Sequence, residues 1–129
     1  MNAISPTDYV QTPDAGIALQ DYTRSLISTL KARSKDSAAL GRLPAETIAD
    51  LEAGGLLSMN TPHQFDGPAV SVRTFLNVVT ELGRADAGGA WVTALTNVTT
   101  WCAATFFGPE AAEEVFRGAK PARVTGGAK

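Results

Sequence analysis

The chain has 129 residues, of which 44% are hydrophobic and 19% are charged, and its formal net charge is −2. These values fit one compact globular domain and exclude a disordered or collagen-like chain. Lys and Arg are scattered without forming a basic stripe, so neither a nucleic-acid partner nor an anionic membrane surface is expected.

The first third of the chain predicts two helices. One begins at Thr12, with Pro13 at its first position, and a polar connector at 34–42 leads to a second, short helix from Pro44 to Gly54. Together they predict a helical hairpin. The apolar face of the first helix recurs at spacings of three and four residues and comprises Leu19, Tyr22, Leu26, Ile27 and Leu30.

The middle of the chain predicts a loop and a third helix. Two prolines and a glycine between Leu56 and Val70 forbid a continuous helix and favour an extended, turning path. Ser71 is suited to cap a helix that ends near Gly83. The predicted apolar face of this helix comprises Phe75, Leu76, Val78, Val79 and Leu82.

A fourth helix, capped by Asp86, is the most distinctive segment. It carries no charge from Ala87 to Pro109 and contains both tryptophans, Trp91 and Trp101. An uncharged helix of this kind is expected to be buried nearly all round, and its Thr and Asn side chains then need hydrogen-bond partners. Five threonines, one asparagine and three glycines in this stretch make it a poor membrane span, so no membrane partner is expected.

The last part of the chain predicts a fifth, short helix followed by the start of a β-strand. Pro109 suits the first position of the helix and Gly118 its end. A lone strand at 121–129 has no partner in a helical chain, so a fragment, or a domain that precedes a sheet, is expected. The fold class is therefore all-α, with about five helices at residues 1–120. The glutamates of the fifth helix, predicted to be solvated, are Glu110, Glu113 and Glu114.

Self-contained catalytic chemistry is not predicted. The lone histidine, His63, lies in the loop, and the lone cysteine, Cys102, has no second histidine to activate it and is predicted to be a small core residue. No ligand spacing indicates a metal, and the glycines of DAGGAW and VTGGAK do not form a dinucleotide fingerprint. One cysteine and the absence of a secretory signal favour the cytoplasm.

The fourth helix is the best candidate for a binding role. Trp91 begins a stripe at helical spacing, and Asn97 and Thr99 add hydrogen-bonding groups, as in a pocket that is mostly apolar. The stripe continues through Leu95, Val98, Cys102 and Thr105. On the residues alone, core packing and ligand lining both stay open for Trp91 and Trp101.

Three blocks of the sequence resemble the N-terminal region of the acyl-CoA dehydrogenase fold. They are RLPAETIADLEAGGLLSMNTPHQFDGP, SVRTFLNVVTELGRADAGGAWVTAL and FFGPEAAEEVFRGAKPARVTGG, and they cover roughly residues 43–127. The ARVTGG ending, without the G-T-x-x-Q-K turn and T-E-P motif usual in dehydrogenases, looks more like the group D flavin-dependent monooxygenases. Asp66–Gly67 stands where the family commonly has two glycines.

The resemblance implies the first part of a three-part subunit, followed by a central β-domain and a four-helix bundle that assembles homotetramers. It implies an oxygenase component that takes reduced FMN or FAD from a separate flavin reductase. With oxygen, such an enzyme hydroxylates an aromatic small molecule or N-oxidises an amine. The flavin is held by the parts that follow, so this chain alone is expected to be inactive and to bind no cofactor. The matching positions for one substrate-pocket wall are Trp91, Leu95, Val98, Thr99 and Trp101.

Two other functions stay open at this point. An acyl-CoA dehydrogenase would use the same helix to line its acyl-chain pocket, with FAD as cofactor. A free-standing helical interaction module would instead form a stable monomer or dimer. The two hypotheses differ in one expectation: a fragment would expose an apolar patch where the β-domain would sit, whereas a free-standing module would not.

Overall fold

The computed structural model describes residues 13–119 and 122–125. Two short 3-10 turns, Leu56–Ser58 and His63–Phe65, lie between the second and third helices, and no strand occurs in these described ranges. The all-α prediction is therefore confirmed. The five helices are α1 (Pro13–Leu40), α2 (Ala45–Ala53), α3 (Val72–Ala85), α4 (Ala87–Phe106) and α5 (Pro109–Phe116). Residues 122–125 have no regular secondary structure, and the rest of the predicted strand, like Thr12, lies outside the described residues.

The predicted helix boundaries after α1 agree with the structure to within two residues. Pro44 precedes α2 and Gly54 follows it. The Ser71 hydroxyl accepts a hydrogen bond from Thr74 N at 3.2 Å, which caps α3 as predicted. Pro109 occupies the first turn of α5. These boundaries are predictable because each depends on a residue within one turn of the helix end.

The first helix is longer than its sequence pattern predicts. The polar segment 34–42, predicted as a connector, is helical as far as Leu40, so that prediction is wrong. The Ser34 hydroxyl donates a hydrogen bond to Lys31 O, and the Ser37 hydroxyl donates one to Arg33 O. Helices tolerate such hydrogen bonds from serine to the preceding turn. The helix ends only where Gly41 adopts a φ of +63°, a conformation that glycine reaches without steric cost.

The main core lies where α1 packs along α3 and α3 packs on α4. α2 meets α1 through two long side chains: Tyr22 donates to Asp50 O at 2.7 Å, and Arg33 pairs with the Asp50 carboxylate at 2.7 Å. The predicted hairpin of α1 and α2 is thus a smaller contact than that of α1 with α3. Leu76, predicted on the apolar face of α3, is 54% exposed. The core side chains with less than 2% exposure include Leu30, Leu51, Leu56, Met59, Val70, Val78 and Leu82.

A second, smaller cluster holds the C-terminal part of the described chain against α4. Phe65 and Phe116 stack with ring centroids 4.9 Å apart and an interplanar angle of 23°. Residues 103, 104 and 112, all alanines, complete the cluster, and Ala122 and Val124 pack against it. This cluster places α5 and the segment 122–125 beside the C-terminal half of α4.

Asp86 fixes the start of α4, and its replacement tests that role. Its carboxylate accepts hydrogen bonds from Gly88 N at 3.2 Å and Gly89 N at 3.1 Å. Asp86→Ala is expected to lower the free energy of unfolding by about 1 kcal/mol, as measured by urea unfolding, because both amides lose their acceptor. Asp36→Ala, at an exposed site in α1, should change it by less than about 0.5 kcal/mol. Equal effects of the two variants would contradict the capping role.

Candidate functional site

The fourth helix is not buried nearly all round: it buries its small and polar side chains and exposes its large apolar ones. The expectation of full burial is therefore wrong. The physical reason is close packing. Small side chains let α4 approach α3 and the loop that precedes α3, and the bulky side chains of α4 are then left on the outside. The buried residues are Gly89, Ala90, Thr93, Thr96, Asn97, Thr100, Ala103 and Ala104.

Asn97 is the polar residue that fixes the buried side of α4. It is 0% exposed, and its side-chain amide donates to Leu56 O and to Thr93 O, each at 2.8 Å. Its Oδ1 accepts from Asn60 N at 3.1 Å. The amide thus joins α4 to the loop that follows α2, and this loop connection determines which side of α4 faces inward.

The large apolar side chains of α4 form a continuous exposed surface. Trp91, Leu95 and Val98 follow each other at spacings of four and three residues, so they lie on one face, as predicted. No charged residue occurs anywhere in α4. We call the following set the α4 apolar face, with exposed fractions in parentheses: Trp91 (68%), Leu95 (42%), Val98 (44%), Trp101 (40%) and Phe106 (74%).

Phe106 is a member of this face that the sequence pattern does not single out. Its ring meets the Trp101 indole edge-on, with centroids 6.3 Å apart and an interplanar angle of 81°. The two residues are five positions apart, a spacing that is not among the usual neighbour spacings of a helix. The signal available in the sequence was the presence of two aromatic residues within one and a half helical turns, but only the tertiary structure reveals their contact.

Thr99, predicted to touch a ligand, lies at the edge of the α4 apolar face. Its hydroxyl is within hydrogen-bonding distance of Leu95 O at 2.9 Å, of Thr96 O at 3.0 Å, and of Val124 O. A threonine hydroxyl carries one proton, so these carbonyls occupy its donor capacity within the protein. Thr99 therefore marks the edge of α4 along which the segment 122–125 runs.

A cavity of about 350 Å³ lies between the loop at 58–68 and the end of α5, away from the α4 apolar face. The Arg117 guanidinium stacks over the Phe65 ring at 5.3 Å and donates to Gln64 O and to the Glu113 carboxylate. Through these contacts Arg117 links the loop to α5. None of the residues lining this cavity belongs to α4.

The backbone of this loop explains a departure noted in the sequence. Asp66 has a φ of +59°, a conformation that favours glycine, and it is the first of the two positions where the resemblance described above implies glycine. Gly67 permits a close approach: a Cβ added there would lie 2.1 Å from Thr61 O. The loop therefore tolerates aspartate at the first position but requires glycine at the second.

The remaining candidates have no partners that indicate chemistry. His63 is exposed, with Nδ1 3.0 Å from Gly67 O. Cys102, predicted as a core residue, is only half-buried, and Glu110, Glu113 and Glu114 are exposed as predicted. Across the described part of the chain, no three His, Cys, Asp or Glu side chains are grouped to hold a metal ion. Nor does any helix in those ranges have the length and apolarity to cross a bilayer.

Comparison with known proteins gives a family and a solved structure of similar fold. Residues 16–117 match the family described as "Acyl-CoA dehydrogenase, N-terminal domain". The fold is similar to the crystal structure of the HsaA monooxygenase from M. tuberculosis, with a TM-score of 0.76 and 24% sequence identity. That match covers 81% of this chain but only 28% of the HsaA chain, so the matched part corresponds to less than a third of that enzyme. No curated protein sequence matches the chain.

Proposed function

This chain belongs to the acyl-CoA dehydrogenase N-terminal domain family, and from that premise we propose that it is the N-terminal portion of a flavin-dependent monooxygenase. In this proposal, residues 1–120 form the helical domain and residues 121–129 lead into a central β-domain. The α4 apolar face is one wall of the substrate pocket. The likeness in fold to HsaA, described as a monooxygenase, supports the proposal.

The observation that carries the proposal is the exposure of the α4 apolar face. Leaving Trp91, Leu95 and Val98 in water forgoes about 25 cal/mol for each Å² of apolar surface that could be buried. Contiguous exposed apolar surfaces of this kind mark ligand grooves or interaction sites. Small-molecule pockets are lined mainly by aromatic and aliphatic side chains. A surface made of two tryptophans and aliphatic residues fits a planar aromatic ligand.

In the proposed enzyme, the residues of this chain bind and shield the substrate. The indole of Trp91 offers a flat surface on which an aromatic ring can stack. Leu95 and Val98 add apolar contact on the next turns of the helix and exclude water from the reacting centre. Thr99 stands at the edge of this wall, with its hydroxyl bonded inside the protein.

Two cavities in the described part of the chain lie away from the α4 apolar face. The cavity near Arg117, about 350 Å³, is bordered by Asp66 and Gly67 and lies off the apolar face. A second cavity, near Arg33 and Glu46, is likewise lined by residues outside α4. In the proposal, the oxidising chemistry of FMN or FAD belongs to the later domains of a cytoplasmic homotetramer, supplied with reduced flavin by a separate reductase.

An acyl-CoA dehydrogenase is the second candidate, because the matching family carries that description. The same exposed face would then line the pocket of an acyl chain, with FAD as the bound cofactor. The two candidates differ in cofactor and in reaction: a monooxygenase consumes oxygen and reduced flavin, whereas a dehydrogenase reduces its own bound FAD with an acyl thioester.

Flavin titration tests the proposal on two proteins: the 129-residue chain, and its gene product extended beyond Lys129. FMN and FAD, oxidised and reduced, are titrated while flavin and Trp fluorescence are followed. The proposal expects no saturable binding to the short chain, and micromolar binding with reduced-flavin-dependent oxygenation of phenols by the long one. Micromolar binding to the short chain would overturn it, as would a gene that stops after Lys129. Oxidation of an acyl thioester by bound FAD would favour the dehydrogenase.

Two leucines give a matched test of the wall. Leu95 is 42% exposed on α4, and Leu76 is 54% exposed on α3. In the extended protein, Leu95→Ala is expected to raise KM about tenfold for a phenol that the protein oxygenates, because the shorter side chain leaves a gap against the substrate. Leu76→Ala should leave KM and kcat unchanged. Equal KM values for the two variants would contradict the assignment of the α4 face as a substrate wall.

A further inference from the structure

The two tryptophans of the α4 apolar face differ in how they are held. Trp91 is 68% exposed, whereas Trp101 is 40% exposed and contacts the Phe106 ring edge-on at 6.3 Å. Perpendicular aromatic pairs at this separation are attractive by about 0.5 to 1.5 kcal/mol beyond the area that they bury. Phe106 therefore restrains the Trp101 indole on the surface of α4.

The helix geometry determines where this pair lies. Residues five positions apart differ by about 140° around a helix axis, so two such side chains would ordinarily point away from each other. The Trp101 and Phe106 rings nevertheless meet edge-on. Cys102, half-buried, and Thr105, exposed, lie between the two positions around the helix. The pair thus forms an aromatic bridge over the C-terminal end of the α4 apolar face.

We propose that Phe106 is a positioning residue, which holds the Trp101 indole across the apolar face and so defines where the substrate wall ends. This inference deepens the proposed function and rests on it for the meaning of the wall. The wall is open near Trp91 and bounded by the aromatic bridge near Trp101. Ligands that extend along α4 from Trp91 would meet the Trp101 indole as a fixed end surface.

The chain contains the controls that this inference needs. Phe107 is adjacent to Phe106 and 47% exposed, so it matches Phe106 in side chain and in closeness to the helix end. Phe106 is 74% exposed, so its replacement is not expected to unfold the chain. Trp91→Phe leaves Trp101 as the single tryptophan and makes its signals unambiguous.

The test measures the Trp101 side chain in the Trp91→Phe background. Phe106→Leu is expected to shift the Trp101 indole N–H resonance, because the neighbouring ring current is lost. It should also raise acrylamide quenching of Trp101 fluorescence about twofold, because the indole gains rotamer freedom. Phe106→Tyr keeps the ring and should retain the parent resonance and quenching. Phe107→Leu should change neither, and circular dichroism verifies that each variant is folded.

Two results would overturn the inference: a Phe106→Leu variant with parent-like Trp101 signals, or a Phe107→Leu variant that changes them equally. A Phe106→Tyr variant without the parent signals would also contradict it, because the aromatic ring at position 106 would then not be what holds the Trp101 indole. The experiment uses neither flavin nor substrate. Its failure is therefore separate from a failure of the proposed function, which the flavin titration and the leucine pair decide.

Discussion

Asn97→Leu is expected to lower the free energy of unfolding by about 2 to 5 kcal/mol, because it leaves two buried backbone groups without partners. Leu56 O loses a donor at 2.8 Å, and Asn60 N loses an acceptor at 3.1 Å. Leucine matches asparagine in the number and branching of its side-chain heavy atoms but occupies more volume, so overpacking at this buried site adds to the loss of the hydrogen bonds. Urea unfolding followed by circular dichroism measures the effect.

Asn77→Leu is the matched control for this prediction. Asn77 is exposed on α3, and its amide donates to Gln20 Oε1 at 3.3 Å on the surface. The same substitution there should change the free energy of unfolding by less than about 0.5 kcal/mol, because water replaces the lost partner. If the two variants proved equally stable, the Asn97 amide would not hold α4 against the loop. The orientation of the α4 apolar face would then need another explanation.

Gly67→Ala is expected to destabilise the chain by about 3 kcal/mol, since the added methyl group overlaps backbone that has little room to move. The new Cβ would lie 2.1 Å from Thr61 O and 2.4 Å from Thr61 C. Thr61 O is held in place because it accepts a hydrogen bond from Ala69 N at 3.0 Å. Relieving the overlap therefore requires that the loop between Thr61 and Ala69 open.

Gly83→Ala provides the opposite expectation with the same substitution. Gly83 lies within α3, and its added Cβ would meet only Ala90 Cβ at 3.8 Å, an ordinary contact. Alanine within a helix is favoured over glycine by about 0.8 to 1 kcal/mol, so this variant should be slightly more stable. A thermal unfolding series compares both variants with the parent. A loss of stability at position 83 as large as that at position 67 would disprove the steric account.

Prediction from sequence is most accurate where structure is local. Ser71 and Asp86 cap their helices through amides only two or three residues away, so the capping residues identify those boundaries correctly. The end of α1 is harder to place, because the polar segment 34–40 contains no proline or glycine and can continue a helix or leave it. Gly41 ends α1, and its φ of +63° is a property of the folded backbone.

What the sequence by itself determined is the helical architecture, the helix ends after α1, the family of the fold, and the shared face of Trp91, Leu95 and Val98. Each of these follows from periodicity, capping or motif order along the chain. Only the tertiary structure decided which side of α4 is buried. Because α4 has no charged residue, no side of it is marked by charge as facing outward. The buried side therefore depends on close packing of small residues and on the hydrogen bonds of Asn97. The separate environment of Thr99 and the bridge between Trp101 and Phe106 also depend on contacts that local spacing does not specify.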